Sequence, residues 1–170
     1  EMLTRDWSSD VCSSDLFDRI YSSPLERAIR TGEIATGVSR ESFVIDHNLT
    51  EIDFGINEGR KYDELQGASG NIFLSPETYL PPEGGESLES LLNRMKHFLE
   101  RMRDEECEGN VLAVSHGTAI HMILLYLRGM SLSELWTEHV GNCNVTVIDI
   151  DGREMKIRDD LQIATDSCIK

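Results

Sequence analysis

The stretch Val111-Leu112-Ala113-Val114-Ser115-His116-Gly117 constrains this chain more than any other. A short apolar run that breaks at a polar turn reads as a strand buried on both faces, the habit of a parallel sheet. Thr118 to Leu127 then continues nearly all apolar, long enough for about three helical turns. Strand, tight turn and helix make half of a βαβ unit. In open α/β sheets, ligands sit beyond the carboxyl ends of the strands. His116 stands at such an end, and Gly117 lets the backbone approach a ligand closely. A histidine bonded to a nearby carbonyl would fit the same pattern, so the rest of the chain has to decide.

With 170 residues, 39% hydrophobic and 28% charged, the chain is large enough for one domain with a real core. Its net charge of −15 argues against nucleic acid or an anionic membrane as partner. A phosphate ester remains possible through a local basic pocket. The four cysteines, Cys12, Cys107, Cys143 and Cys168, are scattered and show neither metal-ligand spacing nor a disulfide framework. A reducing cytoplasm is the expected location. No apolar run approaches a membrane span, and no secretory signal pattern is seen.

Residues 1–16 show neither helical nor strand period and resemble translated adapter DNA, so they are expected to be a non-native or disordered leader. The domain is expected over 17–160, with 161–170 as a tail. Phe17 to Tyr21 reads as a strand. Ser22-Ser23-Pro24-Leu25-Glu26-Arg27 reads as a helix start, with Ser23 as N-cap, Pro24 at the first helical position and Glu26 completing a capping box. Leu25, Ala28, Ile29, Gly32 and Ala35 then fall at helical spacing. Arg27 lies in the first turn, where a helix N-terminus already favours anions and a guanidinium adds a bidentate fork; a solvated surface arginine is the plain alternative. Val44-Ile45 suggests a further short strand.

The segment Leu49 to Arg60 holds two glycines and three carboxylates without helical period, the composition of a loop with defined turns. Glu51 and Asp53 fall on one side of it. A loop carboxylate beside a phosphate site can serve as general acid, or it is simply surface acid. Residues 60–86 carry Pro76, Pro81, Pro82, Gly84 and Gly85, which rule out a long helix and suggest a lid or substrate wall. Leu88, Leu91, Leu92, Met95, Phe98, Leu99 and Met102 repeat at three and four, an amphipathic helix of about four turns. Ser131 and Glu134 suggest a capping box for a short helix to Thr137. Asn144 to Ile150 and Glu154 to Arg158 flank Asp151-Gly152 as a hairpin.

Three stretches, taken together, resemble one family. Ser22-Ser23-Pro24-Leu25-Glu26-Arg27-Ala28, Leu49-Thr50-Glu51-Ile52-Asp53-Phe54-Gly55 with Glu58-Gly59, and Val114-Ser115-His116-Gly117 stand in the order expected of the histidine phosphatase (phosphoglycerate mutase-like) superfamily. Gly84-Gly85-Glu86-Ser87 and Asn142 fit it too. The resemblance implies an α/β fold, a three-layer α/β/α sandwich around a mostly parallel sheet. It also implies phosphomonoester hydrolysis of a small phosphorylated metabolite through a phosphohistidine. Arg27 would hold the phosphoryl oxygens, Glu51 would protonate the leaving group and activate water, and His116 would donate a hydrogen bond to the phosphoryl group. Ser22, Arg27 and Gly117 would contact substrate. No metal or other cofactor is implied; His116 and His121 also lack the spacing of a zinc-protease helix.

The family's signature is an Arg-His-Gly at the end of the first strand, which supplies the nucleophile. No Arg-His-Gly occurs in this chain. The expectation is a domain lacking the first strand and helix, with an unpaired sheet edge, and inactive on phosphate esters. A non-catalytic phosphate-ligand binder is the alternative, as is phosphoglycerate mutase activity in the parent protein, disfavoured by the short span before Gly84. Asp149-Ile150-Asp151 as a metal-binding pair ranks last, since Asp-Gly needs only a turn.

Overall fold

A computed structural model describes residues 16–61, 64, 65, 67–105 and 109–161. The expected leader, except its last residue, and the tail beyond Leu161 lie outside the described residues, as do Cys12, Cys107 and Cys168. The chain divides into two compact units, Glu1–Thr50 with Cys107–Ser115, and Glu51–Glu106 with His116–Lys170.

In the first unit, β1 (Arg19–Ser22) is the middle strand of a parallel three-stranded sheet. β2 (Val44–Ile45) lies on one side, Tyr21 opposite Val44. β3 (Val111–Val114) lies on the other, Arg19 opposite Val111 and Ser22 opposite Val114. Ile20, Tyr21 and Ser22 are buried, as a central strand requires. The spacing predicts β3 to be covered on both faces; instead Val111, Leu112 and Val114 are half-buried and Ala113 is exposed. The reason is topological: among the described residues β3 pairs along one edge only, and an end strand has less to pack against.

Helix α1 (Glu26–Thr36) begins two residues later than its sequence start signal. Ser23 Oγ accepts the Leu25 amide at 3.2 Å, so the serine serves a turn ahead of the helix and Leu25 takes the N-cap. Glu26 pairs with Arg40 at 2.8 Å. The buried stripe is Ala28, Gly32 and Thr36. Ala35, expected on that stripe, is exposed; Thr36 replaces it, its hydroxyl donating to the Gly32 carbonyl at 2.7 Å. Gly32 has a packing reason, since a Cβ there would stand 2.7 Å from the Phe43 ring.

The second unit is built on α2 (Leu88–Asp104) packed against α3 (Gly117–Arg128). Ser87 caps α2, its Oγ accepting the Ser90 amide at 3.1 Å. Of the predicted apolar face, Leu88, Leu91, Met95, Phe98, Leu99 and Met102 are buried, and Leu92 at its margin is half-buried. Each of the buried side chains contributes about 1.5–3 kcal/mol by leaving water. Helix α3 closes on Gly129 at φ +64. The Ser131–Glu134 capping box forms but closes only a 3₁₀ turn, Leu132–Glu134. β4 (Ile148–Asp151) and β5 (Glu154–Ile157) form the hairpin, shorter at its start than the alternation from Asn144 suggests. Between residues 60 and 86 the described structure is 3₁₀ turns, Gly67–Ile72 and Pro76–Thr78 among them. Among the described residues no helix is long and apolar enough to cross a membrane.

Candidate active site

Glu51, His116 and Gly117 come together in the second unit. His116 is buried and occupies the N-cap of α3 in an extended conformation, its carbonyl accepting the Ile120 amide at 2.9 Å. The free amides of the next turn point toward Glu51. Its Oε2 accepts the Thr118 amide at 3.1 Å, and its Oε1 accepts the Ala119 amide at 3.2 Å. Oε1 also accepts the amide of Ile52 at 2.9 Å. The glutamate thus caps α3 from a distant loop, where helix amides and dipole favour negative charge. Oε1 holds two of these bonds and Oε2 one, so Oε2 is the oxygen with room for a proton. It also lies on the side of Gly117, 4.0 Å from where a Cβ would stand.

The loop that carries Glu51 is fixed by backbone bonds. Asp53, on the same side of the segment in sequence, closes a turn by accepting the Gly55 amide at 2.7 Å. The Glu86 amide donates to the Asp53 carbonyl at 2.7 Å, and the Ile56 amide to the Glu83 carbonyl at 3.0 Å. Gly55 has φ +52, and a Cβ there would overlap the Glu83 carbonyl oxygen and the Gly85 amide. The Gly84-Gly85-Glu86-Ser87 stretch is therefore the strip against which the Glu51 loop lies. Tyr79 closes it from outside, donating to the Glu86 carbonyl at 3.3 Å. Burial, with the acids Glu86 and Asp53 nearby, pushes the Tyr79 phenol up to about 12, so it stays a donor.

Sequence reasoning missed Arg94. This α2 residue makes a two-pronged ion pair with Glu86, Nε to Oε1 and Nη2 to Oε2, both 2.8 Å. Its Nη2 also donates to the Glu51 carbonyl at 3.2 Å. The available signal was an arginine beside an apolar helical stripe, eight residues after Glu86.

In the first unit, Ser22 is fully buried and its hydroxyl donates to the Ser23 carbonyl at 3.0 Å. Arg27 is exposed in the first turn of α1. Asp149, of the Asp149-Ile150-Asp151 triplet, is engaged by Arg158 at 3.1 Å. Among the described residues no group of three or more His, Cys, Asp or Glu is placed to hold a metal ion.

The model of the histidine phosphatase superfamily (branch 1) matches residues 9–159. The chain belongs to this superfamily. The match begins within the stretch that lacks helical and strand period. Phosphoserine phosphatase 1 of Hydrogenobacter thermophilus is 32% identical over 145 residues, covering 83% of this chain and 68% of that protein. Among solved structures, YhfR of Bacillus stearothermophilus superposes with a TM-score of 0.74 at 26% identity, over 85% of this chain and 73% of that one. A phosphoserine phosphatase variant of Entamoeba histolytica, in complex with phosphoserine, gives a TM-score of 0.69 at 28% identity, over 83% and 72%. The fold is accordingly the α/β fold of phosphoglycerate mutase-like phosphatases.

This histidine phosphatase chain also carries a titratable residue outside the Glu51 arrangement. His121 is buried on α3 with its ring edge-on to Trp136, centroids 4.7 Å apart. Burial first, and the neighbouring His139 second, push its pKa below the ordinary 6.5, while a bond to the Leu135 backbone opposes them. The fold therefore prefers the neutral ring. That stability is fully present above the ordinary value and is lost as pH falls from there through the lower folded one. Thermal unfolding of the His121→Phe variant is expected to fall less than that of the parent chain between about pH 7 and pH 5. Parallel curves would contradict this.

Proposed function

We propose that this chain carries the proton-handling and phosphate-holding parts of a phosphomonoesterase for a small phosphorylated metabolite, and that it binds such a ligand without turning it over. The observation that carries the reading is the Glu51 carboxylate seated on the first amides of α3 beside His116. In the reaction the resemblance implies, an imidazole nitrogen attacks phosphorus and the ester P–O bond breaks. The electron pair leaves on the alkoxide, which takes the proton from Glu51. Water then gives a proton to Glu51 and attacks the phosphohistidine, releasing phosphate and free imidazole.

Positioning and charge compensation dominate such transfers. Glu51 Oε2 accepts one amide where Oε1 accepts two, so it is the oxygen that carries the proton; taking that proton weakens the cap on α3 and links the proton step to the loop. His116, at the N-cap of α3 beside Glu51, donates to the phosphoryl oxygens. The nucleophile belongs to the Arg-His-Gly that this chain lacks, which is why binding without hydrolysis is the reading. Phosphoserine, named in a relative and bound in a similar structure, supports a phosphate monoester on a small polar molecule as the ligand class.

The test titrates phosphoserine into the isotopically labelled chain. Saturable shifts at the His116 ring and the Gly117 amide are expected, with serine alone giving none. Unchanged spectra at saturating ligand would overturn the proposal.

A further inference from the structure

We propose that Arg94 is a positioning residue for Glu51, acting through the Glu51 main chain. Its guanidinium spans two partners at once: the Glu86 carboxylate, held at 2.8 Å by both Nε and Nη2, and the Glu51 carbonyl oxygen at 3.2 Å. Both charged side chains are mostly shielded, Arg94 being 18% and Glu86 15% exposed. A planar fork held by a bidentate pair has little freedom left, so the third bond it makes is directional.

Glu51 needs that direction. Its side chain reaches the amides of Thr118 and Ala119 from a loop rather than from a helix or strand. A loop carbonyl left free would let the peptide plane after Glu51 rotate. The Ile52 amide, the local anchor of Oε1, lies on that same plane. Arg94 fixes the plane from its carbonyl end and thereby aims the carboxylate. Glu86 holds Arg94 and, through its own amide, the Asp53 carbonyl; Ser90 Oγ also donates to Glu86 Oε1 at 3.0 Å. One ion pair at the start of α2 thus sets both ends of the segment from Glu51 to Asp53.

The inference rests on the reading of Glu51 as the proton carrier, but its test needs no turnover. In the 170-residue chain, the Glu51 side-chain carboxyl carbon and the amides of Ile52, Thr118 and Ala119 are followed by NMR as pH is lowered. The three amides are expected to respond together with the carboxyl. In Arg94→Leu, the Thr118 and Ala119 responses are expected to vanish while α2 and α3 keep their exchange protection. Arg94→Lys keeps the cation but cannot span both partners, and should fail in the same way.

Glu86→Gln is the second variant should the Arg94 changes unfold α2; it keeps the arginine and loosens its anchor, and a partial loss of the coupled response is expected. Coupled titration preserved in a folded Arg94→Leu or Glu86→Gln chain would overturn the proposal. Failure of the proposed function would look different. The coupled titration would stand, but phosphoserine would leave His116 and Gly117 unmoved.

Discussion

Replacing Gly55 with alanine is expected to unseat the Glu51 loop. Gly55 adopts φ +52, a left-handed conformation that costs an L-residue about 1–2 kcal/mol. The added methyl would also overlap backbone atoms of Glu83 and Gly85. Backbone cannot rotate aside as a side chain can, and forcing the strips apart costs a further ~1–3 kcal/mol. The bonds lost in that separation are Ile56 to Glu83 and Glu86 to Asp53. Amide hydrogen exchange at Ile56 and Glu86 should rise sharply in Gly55→Ala, with the Thr118 amide following as Glu51 lets go. An unchanged exchange pattern would show that the loop does not depend on this approach.

Leu91→Ala is expected to be the costliest single change in the core of the second unit. Leu91 is 0% exposed, as are Met95 and Met122 on the two packed helices. Truncation removes the transfer energy of the lost carbons and leaves a void, together about 2–5 kcal/mol. The total stability of a domain this size is about 5–15 kcal/mol, so urea unfolding should shift by a large fraction of its midpoint. Leu92, half-buried beside it, should cost clearly less. Equal losses at both positions would mean that the face is assigned wrongly.

The contrast between Leu91 and Leu92 also shows what could be read from the chain before its structure. A helix repeats its contacts every turn, so spacing marks the apolar face of α2, but it groups Leu92 with Leu91 and leaves the half-burial of Leu92 to the structure. The capping box of Ser131 and Glu134 is equally local. Where the outcome depends on a neighbour distant in sequence, local pattern fails. Ala113 sits in an apolar strand yet is exposed, because pairing along β3 is a property of the sheet. Ser23 and Glu26 form a legible capping pair, yet Arg40, fourteen residues on, claims the glutamate.

The candidate site divides in the same way. Glu51 and His116 are singled out by the resemblance of the Leu49–Gly55 and Val114–Gly117 stretches to the family; their local settings alone left plainer readings open. Arg94 is not, since nothing near it in sequence shows that its fork reaches the Glu51 carbonyl.

The function proposed for this chain, which contains no Arg-His-Gly, is to hold phosphate esters without opening them. The most direct measurement incubates the purified chain with phosphoserine and with p-nitrophenyl phosphate, then assays released inorganic phosphate and acid-labile phosphate on histidine. Neither product is expected above the protein-free control. Steady phosphate release accompanied by acid-labile phosphohistidine would contradict it.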